Sequence, residues 1–245
     1  MDYRDFCYTC RRPRKTCLCS LISPIKTKAY FALLIHPKES RRQKLGTGRL
    51  THLFLKNSRM IEGVDFSGNQ EVNKICTSKE FYPVVLYPGK KSRELTEELA
   101  LNFNDSPRKL LIFVIDATWK QAKKMMLLSE NLKRLPLIRV DPEQGSRFYI
   151  KTQPNQICVS TIEAVYYALN ALKKIGFESG DQSYERMMDL LDALCQIQEK
   201  CASDPSCPGY RKSVYIPPPK GISPIKKSKK SSFKNDFAIM KKINL

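Results

Sequence analysis

Six consecutive apolar residues, Leu110-Leu111-Ile112-Phe113-Val114-Ile115, followed at once by Asp116, constrain the fold of this chain more than any other feature. A strand with one wet face alternates apolar and polar residues. A run that is apolar at every position has to be covered on both faces, the condition of a central strand in a parallel sheet. Helices supply that cover, so the chain should alternate strands and helices in an α/β architecture, a largely parallel sheet with flanking helices. AYFALLI (29–35) is a second buried strand that stops at His36-Pro37. FYPVVLYPG (81–89) is a third, closed by Pro-Gly, and LPLIRV (135–140) a fourth. The short ICV run (157–159) has strand character with Cys158 as a buried small hydrophobe, and FYI (148–150) suits a strand or a loop.

Helical spacing falls between these runs. Leu50, Leu53 and Phe54 share one face, as do Leu95, Leu99 and Phe103 within 94–103, and Ala122, Met125 and Met126 after Trp119. STIEAVYYALNALKKIG opens with Ser160 and Glu163 at capping-box spacing and stops at Gly176. A last helix is expected over 182–201.

Four of the nine cysteines crowd into thirteen residues as C-x2-C-x6-C-x-C: Cys7, Cys10, Cys17 and Cys19. Two close pairs with a turn between them can bring four thiolates to one tetrahedral zinc ion. A site with all four ligands from protein is closed to substrate, hence structural. Arg11, Arg12, Arg14 and Lys15 between the pairs favour the anionic thiolates and suit phosphate contact. Three regions follow: a cysteine module (1–22), an α/β domain (23–216) and a disordered basic tail (217–245) that carries KKSKK.

The net charge of +19 is not confined to that tail, since RRPRK at 11–15, RR at 41–42 and KK at 123–124 lie in the body. A surface of this kind attracts polyanions, nucleic acid first among them. No apolar run is long enough to span a bilayer, and MDYRDFCYTC lacks the apolar core of a signal peptide. The expectation is a cytoplasmic protein, or a nuclear one in a eukaryote, that contacts no membrane.

Ligands of open α/β sheets bind beyond the carboxyl ends of the strands. Asp116 stands at such an end, with Thr118 and the single tryptophan, Trp119, just after it; Ser160 and Thr161 open a helix whose free N–H groups favour an anion. Each feature has a plain structural alternative: Asp116 or Thr118 as a helix cap with Trp119 as core, and Ser160 with Glu163 as a capping box.

The string Asp116-Ala-Thr-Trp119, in the frame FVIDATWKQA, resembles the D-x-T-W signature of the DTW-domain family. Further pieces fall in the same order: the cysteine module, HPKE (36–39), TGRL (47–50) and VSTIEA (159–164). Together they cover roughly residues 7–170. Gly46 stands where an asparagine is expected, and Lys151 where an arginine is expected. The resemblance implies a knotted, SPOUT-like aminocarboxypropyltransferase, which moves the 3-amino-3-carboxypropyl arm of S-adenosylmethionine to N3 of a uridine in tRNA and releases methylthioadenosine.

On that reading Asp116 is the candidate general base or the group that positions the uridine imide, and Thr118 orients it or binds the donor. Trp119 stacks on a base. Ser160 and Thr161 suit the carboxylate of the donor's amino-acid end, with Glu163, His36 and Glu39 lining the same site. Arg41, Arg42 and Arg49 are expected at RNA phosphates. tRNA is the expected partner, with rRNA the other RNA class a basic surface admits, and a monomer is favoured. An RNA methyltransferase and a non-catalytic zinc-bearing RNA-binding protein are the competing readings.

Overall fold

A computed structural model describes residues 6–42, 46–89, 91–96, 107–142, 145–151, 158–179 and 184–206. Strands β1 (Phe6–Cys7) and β2 (Arg12–Pro13) form a short antiparallel hairpin. The main chain of elements then runs β3 (Tyr30–Ile35), α1 (Pro37–Arg42), α2 (Thr47–Phe54), β4 (Ser58–Glu62), α3 (Gln70–Thr77), β5 (Phe81–Leu86) and β6 (Arg93–Glu94). After these come β7 (Lys109–Asp116), α4 (Trp119–Leu128), α5 (Glu130–Lys133), β8 (Leu137–Arg139), α6 (Thr161–Lys174) and α7 (Glu185–Ser203).

Strands β3 to β8 make one sheet in the order β4-β3-β7-β5-β8-β6, and each pairing is parallel. The apolar run of β7 lies inside this sheet, between β3 and β5. Its side chains alternate between two cores. Leu110, Ile112 and Val114 join Leu33 of β3, Leu50 and Phe54 of α2, Val165 and Leu169 of α6, and Leu191 of α7 on one face. Leu111 and Phe113 join Leu34, Val72 and Ile75 of α3, Met125 and Met126 of α4, and Leu132 on the other. Full burial of side chains such as Ile112 and Phe113 stabilises by about 1.5–3 kcal/mol each.

The cysteine segment packs on the first of these cores, through buried Cys10 and Leu18. Glu178, just past α6, fastens the start of β3: its buried carboxylate accepts the amides of Lys28 at 2.9 Å and Ala29 at 2.8 Å.

Some local expectations need correction. Cys158 is buried, yet it and Val159 belong to no strand, because they lead straight into the Ser160 cap of α6. Of the two readings of residues 148–150, the loop is the one observed, as a turn. At the start of the expected 94–103 helix, Arg93–Glu94 is an edge strand; residues 97–103 lie outside the described residues, as does the basic tail 217–245. Among the described residues, no helix is long and apolar enough to cross a membrane.

Candidate active site and cysteine cluster

Parallel pairing sets the carboxyl ends of β3 and β7 side by side, Ile35 opposite Asp116. The His36 amide donates to the Asp116 carbonyl at 3.0 Å. The Asp116 side chain is buried and sits between the starts of two helices. The Thr161 hydroxyl, at the first residue of α6, donates to Oδ1 at 2.5 Å. On the other side lies Gly48, the second residue of α2, whose amide also bonds the carboxylate. A β-carbon at Gly48 would fall 2.2 Å from Oδ2, so only glycine leaves room for this approach. Burial pushes the Asp116 carboxyl above the usual carboxylate range, opposed by the Thr161 bond, the charge of Lys151 and the Gly48 amide.

A second buried acid organises the neighbouring chain. Glu163 accepts the Ser160 amide at 2.7 Å and hydroxyl at 2.6 Å, the Ser146 hydroxyl at 2.7 Å and the Arg147 amide at 2.6 Å. The capping box is therefore present, and the same carboxylate also holds a loop that passes alongside. The Arg147 guanidinium pairs with Asp192 of α7. From this fixed point the chain turns to Lys151, whose amide donates to the Phe148 carbonyl at 3.1 Å. The Lys151 ammonium lies 4.0 Å from Oε2 of Glu39 on α1 and 5.5 Å from the centre of the Phe148 ring.

Glu39 is buried, and its amide donates to the His36 carbonyl at 2.8 Å. His36 Nδ1 accepts the Lys38 amide at 3.1 Å. Burial, followed by the charges of Lys38 and Lys124, lowers the imidazole pKa from its usual value.

Asp116, Thr161, His36 and Glu39 thus share one edge of the sheet with Gly48 and Lys151. Ser160 and Glu163 stand next to them, bonded to each other. Thr118 is exposed and caps α4, its amide and hydroxyl both bonded to Gln121 Oε1, and Trp119 is half-buried at the start of that helix. Arg41 is exposed and pairs with Glu62 at 3.1 Å. Arg42 belongs to α1, with its side chain outside the described residues. Arg49 is half-buried on α2; burial lowers its pKa first, and the charges of Arg11 and Cys10 place it beside the cysteine turn. Sequence reasoning missed the loop of Ser146 and Arg147, because no local pattern announces a bond to a carboxylate sixteen residues further on.

The four cysteine sulfurs all lie within 4.8 Å of one another. Cys7 and Cys19 are 3.6 Å apart, Cys10 and Cys17 3.7 Å. Four thiolates bound at the usual zinc–sulfur distance stand about 3.8 Å apart, so the quartet fits a tetrahedral zinc ion. The hairpin turns through Arg11 at φ 55°, and the Arg11 amide closes the turn on the Cys7 carbonyl at 2.8 Å. The Cys10 amide, aided by the Cys17 thiol, lowers the Cys7 pKa to about 6. Burial raises that of Cys19. Arg12 is buried against the cluster, its Nε donating to the Thr16 carbonyl at 2.9 Å.

The chain is thus an α/β protein with a parallel sheet, charged groups at the carboxyl edge of that sheet, and a cysteine quartet, docked on one core, that could hold a metal ion. The DTW domain profile matches residues 4–199. The chain belongs to the DTW-domain family. It is 30% identical over 202 residues to tRNA-uridine aminocarboxypropyltransferase 2 of Mus musculus, covering 80% of this chain and 64% of that protein. To the protein of the same name in Drosophila melanogaster it is 28% identical over 202 residues, covering 80% and 75%. To tRNA-uridine aminocarboxypropyltransferase A of Arabidopsis thaliana it is 28% identical over 223 residues, covering 80% and 82%. The chain spans 64% of the length of the mouse and Macaca fascicularis relatives. No solved structure matches.

Proposed function

We propose that this chain is a tRNA-uridine aminocarboxypropyltransferase, which transfers the 3-amino-3-carboxypropyl group of S-adenosylmethionine to N3 of a uridine in tRNA and releases methylthioadenosine. The observation that carries this reading is the Asp116–Thr161 hydrogen bond, which joins the IDATW and VSTIEA segments at the carboxyl edge of the sheet. The names of the relatives supply the reaction.

S-adenosylmethionine supplies a carbon activated by its sulfonium; the uridine supplies N3, whose proton has to be taken up when the N–C bond forms. Asp116 is the residue proposed to receive that proton or to hold the imide N–H. Burial favours its protonated form, which brings its affinity closer to what proton transfer requires. Thr161 fixes the carboxylate. His36, Glu39, Ser160, Thr161 and Glu163 line or support the donor side, and the lowered pKa of His36 disfavours a positive charge beside a sulfonium. Thr118 and Trp119 lie toward the acceptor, with Trp119 stacking on a base. Arg41, Arg42 and Arg49 face RNA phosphates, and Cys7, Cys10, Cys17 and Cys19 hold a structural zinc ion. A cytoplasmic monomer of SPOUT-like, knotted path completes the proposal.

The test is mass spectrometry of nucleosides from unmodified tRNA incubated with the purified chain and S-adenosylmethionine. An aminocarboxypropyl gain on uridine with methylthioadenosine released supports the reading. A methyl gain replaces it with a methyltransferase. Absence of any gain on tRNA and rRNA points to a binding protein.

A further inference from the structure

We propose that Glu39 and Lys151 form a divided site for the zwitterionic amino-acid end of S-adenosylmethionine, Glu39 taking the α-ammonium and Lys151 the α-carboxylate. The inference rests on the reading of the chain as an S-adenosylmethionine-dependent transferase.

Charge is the first argument. The Glu39 side chain is only 6% exposed, and the Lys151 side chain 34%. Their charged atoms face each other at 4.0 Å, close enough for Coulomb attraction but beyond the length of a direct hydrogen bond. The positive charge of Lys151 also acts on the buried carboxylate of Asp116. Glu39 and Lys151 therefore offer one acid and one base side by side at the carboxyl edge of the sheet. The amino-acid end of S-adenosylmethionine carries the complement, an ammonium for Glu39 and a carboxylate for Lys151.

Position is the second argument. Glu39 is presented by α1 directly beyond the end of β3, and its amide is tied to the His36 carbonyl. Lys151 follows a loop held through the Arg147 amide on Glu163 and the Arg147 guanidinium on Asp192. Both groups stand on anchored backbone, which lowers the ordering cost of binding.

Among the described residues, the two hydroxyls at the start of α6 are already engaged. The Ser160 hydroxyl donates to Glu163 and the Thr161 hydroxyl to Asp116. Each would have to abandon a protein carboxylate to bind that of a ligand. Lys151 needs no such exchange, because an ammonium has three donors and its charge already reaches both acids of the edge.

Isothermal titration of the whole chain with three ligands tests the proposal. S-adenosylmethionine carries the amino-acid end and the sulfonium; S-adenosylhomocysteine keeps the end without the sulfonium charge; methylthioadenosine lacks the end. Glu39→Gln and Lys151→Met should each weaken the first two by about tenfold or more, the scale of a lost charged hydrogen bond. Both should leave methylthioadenosine within about twofold of wild type, well under the 1.4 kcal/mol of a tenfold change. Lys151→Arg should restore most of the affinity. Equal weakening of all three ligands, with lowered thermal stability, would assign the pair a structural role and overturn the site. Unchanged affinity in both variants would overturn it as well. A wild-type chain that binds none of the three removes the transferase reading itself, which separates that failure from the failure of this site.

Discussion

Gly48 and Asp116 are in contact so close that a β-carbon on the first would lie 2.2 Å from a carboxylate oxygen of the second. The carboxylate cannot turn aside without leaving the Thr161 hydroxyl, and the residue is only 7% exposed. Gly48→Ala should therefore destabilise by about 1–3 kcal/mol, as overpacking does, and disable transfer. Thermal unfolding checks the first part. A variant with wild-type melting would show that the carboxylate moves freely.

Asp116→Asn separates support from chemistry. The amide keeps one oxygen for Thr161 or Gly48 but sets an NH2 against the other donor. We expect S-adenosylmethionine binding within a few-fold of wild type and kcat lower by about a hundredfold or more, the range of a lost general base. Normal turnover would remove Asp116 from the proton path.

Glu163 is fully buried and receives four hydrogen bonds from three residues. Glu163→Ala leaves those donors without an acceptor, at about 1–3 kcal/mol for each buried group. The variant should melt earlier and lose affinity for S-adenosylmethionine, because the loop that leads to Lys151 loses its anchor. Glu163→Gln should fall between it and wild type. Hydrogen exchange at the Arg147 amide reports the loosening directly.

Both histidines have depressed pKa values, His36 through burial, Lys38 and Lys124, His52 through burial and Arg49. The unfolded chain then binds protons that the native chain refuses. Stability present above the unfolded value of about 6.5 is lost as pH falls through the folded values. The buried carboxyls of Asp116 and Glu178, raised by burial, act in the opposite sense, so the histidine part is read by difference. A double His36→Gln, His52→Gln variant should melt higher at pH 5.5 relative to pH 7.5 than wild type does. An NMR titration showing His36 protonated above pH 6.5 would contradict the argument.

If zinc fills the cysteine quartet, metal analysis should find one equivalent per chain, and Cys7→Ser with Cys10→Ser should abolish it. Cys10 and Leu18 are part of the core that also holds α2, α6 and α7, so loss of metal should lower the melting of the whole domain. Metal-free wild type with unchanged melting would reject a structural ion.

Legibility tracked how locally each feature is encoded. β7 was plain because burial on two faces excludes polar residues from the run itself. The cysteine quartet was plain because its ligands fall within thirteen residues. β4 was invisible: an edge strand with Ile61 as its one fully buried residue shows no period. α3 escaped notice too, although Asn69 caps it through the Val72 amide at 2.9 Å. Asp116 and Thr161 were each singled out, but their hydrogen bond spans 45 positions and no pattern within either segment predicts it. Lys151 is legible in the sequence only as a lysine where the resemblance leads to an arginine, and no local pattern announces its place beside Glu39 of α1.

The clamp of Glu178 on the amides of Lys28 and Ala29 has a consequence for synthesis. The two ends of that contact are about 150 residues apart, so a nascent chain reaches the second long after it has made the first. Until Glu178 leaves the ribosome, two amides at the entry to β3 lack the acceptor they have in the finished protein, and the Ala29 amide, buried there, has no protein partner at that carboxylate. Translation halted ahead of that residue should yield a product that chaperones and proteases treat as unfinished, however complete its sheet.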